Sequence, residues 1–253
     1  MLAMLSGAVM AQTTFTLKLG GAFPMGDFAD AKVTNTEPQR WGLFTKHTEG
    51  GAGTGFNLGV EWKFAIPSVK GLGVALSFDG FYNGLNEDLN DMFEDMLDEM
   101  DDEFDDYSMT TPSYINVPVM VGVNYKYDIN NMVGLYAAAG MGLNMRFVTP
   151  MRFDYEYHDY DYDGDRYTVT TENTIKWDMA ASFAFRLTAG VTFAQKYSIE
   201  IGYYNLGAGK VKGNVKELST VTGAYSDSES YKEKERLKSI TPELFTLRLG
   251  LSF

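Results

Sequence analysis

Apolar and polar residues alternate one by one along most of this chain. From Phe56 the stretch FNLGVEWKFAI places Phe56, Leu58, Val60, Trp62, Phe64 and Ile66 on one face, and Asn57, Gly59, Glu61, Lys63 and Ala65 on the other. A period of two sustained over that length predicts a β-strand whose two faces meet different surroundings. The pattern recurs seven more times. It runs over Phe15–Leu19, Leu72–Phe78, Ile115–Tyr125, Val133–Phe147, Trp177–Phe193, Tyr197–Tyr203 and Phe245–Phe253. Eight two-faced strands are therefore expected.

Such strands can close in two opposite ways. A lipocalin-like soluble barrel turns its apolar face inward around a ligand, and a membrane barrel turns it outward to lipid. Three features select the membrane barrel. The polar face is rich in Gly, Ala and Ser and carries charges of both signs: Lys18, Glu61, Lys63, Asp79, Lys126, Arg146, Asp178, Arg186, Glu200 and Arg248. A narrow interior has room for small residues and paired charges. The apolar face is unbroken and bears aromatics near the strand ends, among them Phe15, Tyr82, Tyr125, Phe147, Trp177, Tyr197 and Phe253. These suit the interfacial girdles of a membrane barrel. The connections also alternate in length. Pro67–Gly71, Asp128–Met132 and Ala194–Lys196 are tight turns, whereas Pro24–Gly53, Gly84–Pro112, Pro150–Lys176 and Gly207–Glu243 are long. Short periplasmic turns and long external loops are the asymmetry of outer-membrane barrels.

Composition sharpens this picture at both ends. The run LAMLSGAVM followed by Ala11, with Val9 and Ala11 at the −3 and −1 positions, reads as the tail of a secretory signal peptide. Residues 1–11 are thus expected to be a leader remnant that lacks its basic start, and 12–253 a single barrel domain. No cysteine is present, which removes disulfides, thiolate metal sites and a Cys nucleophile. The formal net charge is −13, from 34 acidic and 21 basic residues. Twelve of the acids lie in residues 87–106, EDLNDMFEDMLDEMDDEFDD, so the rest of the chain is nearly neutral. An acidic chain is not expected to bind nucleic acid, because phosphate contacts come from Lys and Arg.

The run YINVPVMVGVNYKYDINNMVGLYAAAGMGLNMRF, the alternating terminal strand ending in Phe253, and the count of eight resemble OmpA/OmpX-like outer-membrane β-barrel domains of Gram-negative bacteria. The resemblance extends to the porin-like outer membrane protein β-barrel families of the Bacteroidetes type, and covers the chain from about Thr13 to Phe253. It implies an all-β, eight-stranded antiparallel up-and-down barrel in the cell outer membrane. It also implies that barrel-assembly machinery reads the terminal aromatic strand. No peptidoglycan-binding domain is expected after Phe253.

The loops offer little chemistry. Barrel lipases, acyltransferases and proteases rely on a His base beside a Ser or carboxylate. The histidines here, His47 in TKHTEG and His158 in YEYHDYDYDGD, both fall in loops, so no enzyme, catalytic residue or cofactor is expected. Asp159, Asp161, Asp163, Gly164 and Asp165 match the first half of an EF-hand loop, but Thr170 occupies the twelfth position and the nearest Glu is Glu172. No metal site is assigned. The same letters suit a hairpin with Asp163-Gly164 as a two-residue type I′ turn. Carried down to the membrane, that register would set apolar Phe147 against polar Ala180. One extra residue repairs the conflict: Phe147 then meets Met179, Met145 meets Ala181 and Leu143 meets Phe183. The tyrosines change phase across His158-Asp159, so a β-bulge is expected there.

In the acidic segment Leu89, Met92, Phe93, Met96, Leu97, Met100 and Phe104 follow helical spacing, with Asn86 as N-cap. Like charges four residues apart weaken such a helix, so it should need packing or screening cations. The whole reads as a monomeric barrel, surrounded by outer-membrane lipid, that acts as a surface-interaction scaffold. A basic protein or divalent cations are the partners suited to residues 87–106. A small porin-like channel and a lipid-modifying enzyme are the alternatives.

Overall fold

A computed structural model of the chain describes residues 13–30, 50–100, 105–209, 211–223, 227–236 and 240–253. The expected leader and His47 lie outside them. The strands are β1 (Thr13–Met25), β2 (Ala52–Ala65), β3 (Leu72–Leu85), β4 (Asp106–Thr110), β5 (Tyr114–Asp128), β6 (Val133–Val148), β7 (Met151–Tyr160), β8 (Arg166–Trp177), β9 (Ala180–Phe193), β10 (Tyr197–Asn205), β11 (Lys212–Thr222), β12 (Asp227–Arg236) and β13 (Glu243–Ser252). Helix α1 spans Glu87–Met100. Eight strands close into an antiparallel barrel in the order β1-β13-β10-β9-β6-β5-β3-β2. Every neighbour except the closing β1–β13 pair is consecutive among the barrel strands, so the expected up-and-down topology holds.

The two barrel faces divide as the alternation requires. Trp62, Phe183 and Leu249 point outward, at 36%, 61% and 65% exposure, while Glu61, Arg186 and Arg248 are buried inside. Leu58, Phe78, Val121, Leu143, Leu187 and Ile201 continue the outward apolar surface. A water-soluble barrel would carry these faces the other way round, so this one is solvated by lipid. No helix among the described residues is long and apolar enough to cross a membrane; the crossing is made by strands. The short turns are tight. Between β9 and β10, Ala194 and Gln195 both take positive φ, 49° and 57°, and Lys196 N–H donates to the Phe193 carbonyl at 3.0 Å. That is the twist-matched primed hairpin turn, made here without glycine.

The long connections hold a second sheet that the alternation did not announce. Five strands stand outside the barrel in the order β12-β11-β8-β7-β4. The stretch Trp177 to Phe193 is accordingly two strands rather than one. β8 ends at Trp177, β9 begins at Ala180, and Asp178 is exposed between them instead of facing the lumen, its N–H donating to the Lys212 carbonyl at 2.8 Å.

The β6–β9 register is the repaired one, with Met145 against Ala181 and Leu143 against Phe183. It continues unchanged above the membrane from Met151 against Ile175 to Tyr160 against Arg166. The expected bulge near His158 is absent: His158 pairs directly with Thr168. The extra residue sits in the turn. Asp161 N–H donates to the Asp165 carbonyl at 3.0 Å, which leaves Tyr162, Asp163 and Gly164 as a three-residue loop, with Gly164 at φ 86°. A type I turn followed by a left-handed glycine makes this common alternative to the two-residue turn. The tyrosine phase change needs no bulge, because Tyr155 and Tyr157 are only half-buried and Tyr160 and Tyr162 are exposed, so a change of face costs little burial.

Candidate functional site: the barrel interior and the external face

The interior is filled from the periplasmic side upward. Lys18 Nζ contacts Glu200 Oε2 at 2.8 Å and Glu61 Oε1 at 3.1 Å, and Lys63 Nζ reaches Glu61 Oε1 at 3.0 Å. Arg186 pairs with Glu61 and lies 3.5 Å from Asp79. Arg248 Nη1 donates to Asp79 Oδ1 at 2.7 Å and Asn57 Oδ1 at 3.2 Å, while its Nε and Nη2 both engage Glu200 Oε1. Tyr136 OH donates to Glu200 Oε2 at 2.9 Å. Every barrel strand except β5 contributes to this network, and Arg186 on β9 reaches β2 across the full width of the barrel. Alternation explains how. Each of these residues falls on the inward parity, and glycines such as Gly59, Gly140 and Gly250 leave the volume into which the long side chains fold. Charges removed from water in this way are tolerable only because each finds opposite charges and hydrogen bonds.

The sequence marked the inward face by small residues and charges, but above the ion pairs the interior turns apolar. Phe81 packs edge-on against Tyr204 with ring centres 4.9 Å apart, and the Arg248 guanidinium lies 5.2 Å from the Tyr204 ring centre. Met120, Leu206 and Leu244 complete the layer, all buried. Phe28 then meets Tyr114 at 5.1 Å. Leu89 and Phe93 of α1 join the same cluster, so the helix is docked over the barrel mouth by its apolar stripe. Asn86 caps it as expected, its Oδ1 accepting from Leu89 N–H at 3.0 Å, and its amide also ties to the Ala29 carbonyl at 3.1 Å. Glu87, Asp88, Asp91, Glu94 and Asp95 remain exposed on the outer side. The apolar layer was hidden because Phe81, Tyr204 and Leu244 sit on the inward parity at the outer ends of strands, where Pro and loop signals dominate the reading.

The external sheet also has two faces. Met151, Ile175 and Val215 lie side by side and pack on the cluster that closes the barrel mouth. The opposite face therefore points away from the barrel axis. Its lowest full row is Arg152, Thr174, Lys216 and Lys232, one residue from each of four neighbouring strands. Lys176 and Asn214 pair just below. These six, with Val215, line a cleft of roughly 400 Å³. One row further out the sign reverses, with Asp154 directly opposite Glu172. None of these basic residues stands out in the sequence, because they come from four separate strands and meet only through the sheet.

The loop residues raised by the sequence are used locally. His158 Nδ1 and backbone N–H both lie 2.8 Å from Asp105 Oδ2. Asp161 Oδ1 accepts from Asp163 and Asp165 N–H at 3.0 and 2.9 Å, and Asp159 Oδ2 accepts from Tyr167 OH at 3.0 Å. These carboxylates hold the hairpin tip rather than converging on one point. Among the described residues no group of three His, Cys, Asp or Glu side chains could hold a metal ion.

No family model matches the chain, and no curated protein matches it. Solved structures do. The attachment invasion locus protein Ail of Yersinia pestis is 13% identical over 96% of this chain and 99% of that one, with a TM-score of 0.39. A major outer membrane protein from Thermus thermophilus is 11% identical over 95% and 99%, with a TM-score of 0.40. The toluene transporter TodX of P. putida is 9% identical over 99% and 91%, with a TM-score of 0.21.

Proposed function

Starting from an eight-stranded β-barrel of the cell outer membrane, we propose that the membrane part is a sealed anchor and that the external sheet and helix carry the activity, which is non-catalytic contact with molecules at the cell surface. The observation that carries this reading is the filling of the interior. Arg186, Arg248, Tyr204 and Phe81 are each at most 2% exposed and sit at successive levels of the same lumen. An eight-stranded barrel is just wide enough for its own side chains. The exposed acidic side of α1 suits a basic protein or divalent cations. Reconstitution into planar bilayers tests the anchor: the folded protein should leave the membrane at its baseline conductance. Stable ion-conducting steps would replace this reading with that of a small channel.

A further inference from the structure

Read upward along the outward face of the β6–β9 and β7–β8 ladders, the chemistry changes in order. Leu143 and Phe183 are opposed on the lipid-facing surface, and Phe147 and Met179 are exposed above them. Next come Lys176, three residues beyond Met179, and Arg152, five beyond Phe147. At about 3.3 Å per residue the two cations lie roughly 10–16 Å further along the strands than the last lipid-facing side chains, and closer than that in height because barrel strands tilt. That is the layer in which headgroup sugars and phosphates stand. Lys216 and Lys232 extend the row over two more strands, and the acidic Asp154–Glu172 pair begins only beyond it.

The row conflicts with its own surroundings. Lys216 and Lys232 are direct cross-strand partners, an arrangement that repels. Among the described residues none of Arg152, Lys176, Lys216 and Lys232 forms an ion pair. The nearest acids on this face are Asp154 and Glu172 one row further out and Asp178 two residues from Lys176, and among the described residues none of them is ion-paired with these cations. Cations gathered at the height of an anionic layer, on a protein of net charge −13, are placed for an anion.

The geometry points to this cleft as a docking site for phosphate-bearing saccharide headgroups of the surrounding outer leaflet. The inference rests on the surface-contact reading and names the chemical class of one partner. Thr174 and Asn214 supply neutral hydrogen-bonding groups between the cations, as sugar hydroxyls require. The site turns sideways over the membrane, so it engages the leaflet around the barrel.

The test uses the full chain in nanodiscs of zwitterionic phospholipid containing a few per cent of a bisphosphorylated glycolipid, with retained glycolipid read by native mass spectrometry across a salt series. The folded protein should retain the glycolipid, and retention should fall as salt rises. Changing Arg152, Lys176, Lys216 and Lys232 to Glu should weaken retention by roughly fivefold or more for each residue changed. The matching set of four Gln substitutions should weaken it with less strain on the sheet. Lys70→Glu and Lys196→Glu, in the short turns at the other end of the barrel, should change nothing. Heat-modifiable gel mobility shows which variants are folded. Equal retention by folded wild type and either fourfold variant would overturn the proposal, as would equal retention of the dephosphorylated glycolipid. A soluble sulfated oligosaccharide that binds through the same four residues while the glycolipid does not would overturn it in favour of a ligand from solution. None of these results bears on conductance, so the sealed anchor stands or falls separately.

Discussion

The barrel and the sheet above it share strands that run almost continuously, β6 into β7 and β8 into β9, in one register, yet they are held by different forces. In the membrane each strand divides lipid from a packed interior, so each residue is committed to one of two environments. Leu187 has no place but outside and Arg186 none but inside. Above the membrane only one face is covered. Met151, Ile175 and Phe153 are buried, but Glu172, Lys216 and Thr222 meet water, as would many replacements. Between the two regions Thr149–Pro150 and Asp178–Met179 interrupt the two arms at adjacent levels, and four residues on each arm separate the two ladders, which preserves the register while the buried parity switches from even to odd numbers. One backbone ladder is thus pinned by two solvents in one half, and by a single covered face and its own hydrogen bonds in the other.

The strongest test of that contrast removes one carboxylate from each region. Glu200→Ala takes away the shared partner of Lys18 and Arg248, and leaves Glu61 and Asp79 as the remaining buried carboxylates for Lys18, Arg186 and Arg248. It should cost about 3–5 kcal/mol in reversible unfolding from lipid bilayers. Glu172→Ala in the sheet removes one of two opposed acids, and should change stability by less than about 0.5 kcal/mol, with a stabilising sign. Similar losses from both would show that the lumen network is as well solvated as the sheet.

This asymmetry also decided what could be read from the chain. The eight barrel strands, their faces and even the β6–β9 register were legible, since a slip of one residue would exchange every lipid-facing and luminal side chain. β11 (KGNVKELSTVT) and β12 (DSESYKEKER) were not legible, because a strand with water on one side and few apolar residues leaves no period to find. The cationic cleft was hidden for the same reason, being a property of sheet pairing. A second pair of substitutions measures the difference directly. Leu187→Arg, near the middle of β9 and outward-facing, should cost roughly 2–4 kcal/mol by the same unfolding measurement. Leu218→Arg, on the outward face of β11, should stay within about 0.5 kcal/mol. A large cost at Leu218 would mean that the sheet's outer face is covered.

Helix α1 lies between these extremes, docked by Leu89 and Phe93 but burdened with like charges. Its N-cap is therefore worth measuring. Asn86→Ala removes the bond to Leu89 N–H and the tie to Ala29, and should destabilise the helix by about 1 kcal/mol. Hydrogen exchange over residues 87–95 should then speed up roughly fivefold, while exchange in the barrel strands stays fixed. An accompanying change in β3 or β5 would show that the helix is part of the barrel's cooperative unit instead of a separately opening lid.

The smallest expected effect lies at the far tip of the β7–β8 hairpin. Deleting Tyr162 would leave Asp163 and Gly164 as a two-residue turn between Asp161 and Asp165. Gly164 already has the positive φ that such a turn demands, and Asp tolerates it at the first position. The deletion forfeits the two bonds from Asp163 and Asp165 N–H to Asp161 Oδ1, which the wider loop makes possible. It also removes a fully exposed tyrosine from the tip. These effects oppose one another, so stability should move by no more than about 0.5 kcal/mol. The pairing beneath should not move at all, because Asp161 and Asp165 remain partners and no residue below them is added or lost. Cysteines introduced at Glu156 and Thr170, which are direct partners, should cross-link equally well with and without Tyr162. Should the deletion instead favour a cross-link from 156 to 169, the sheet's register would be set by its turn, and the ladder below it would have no hold of its own.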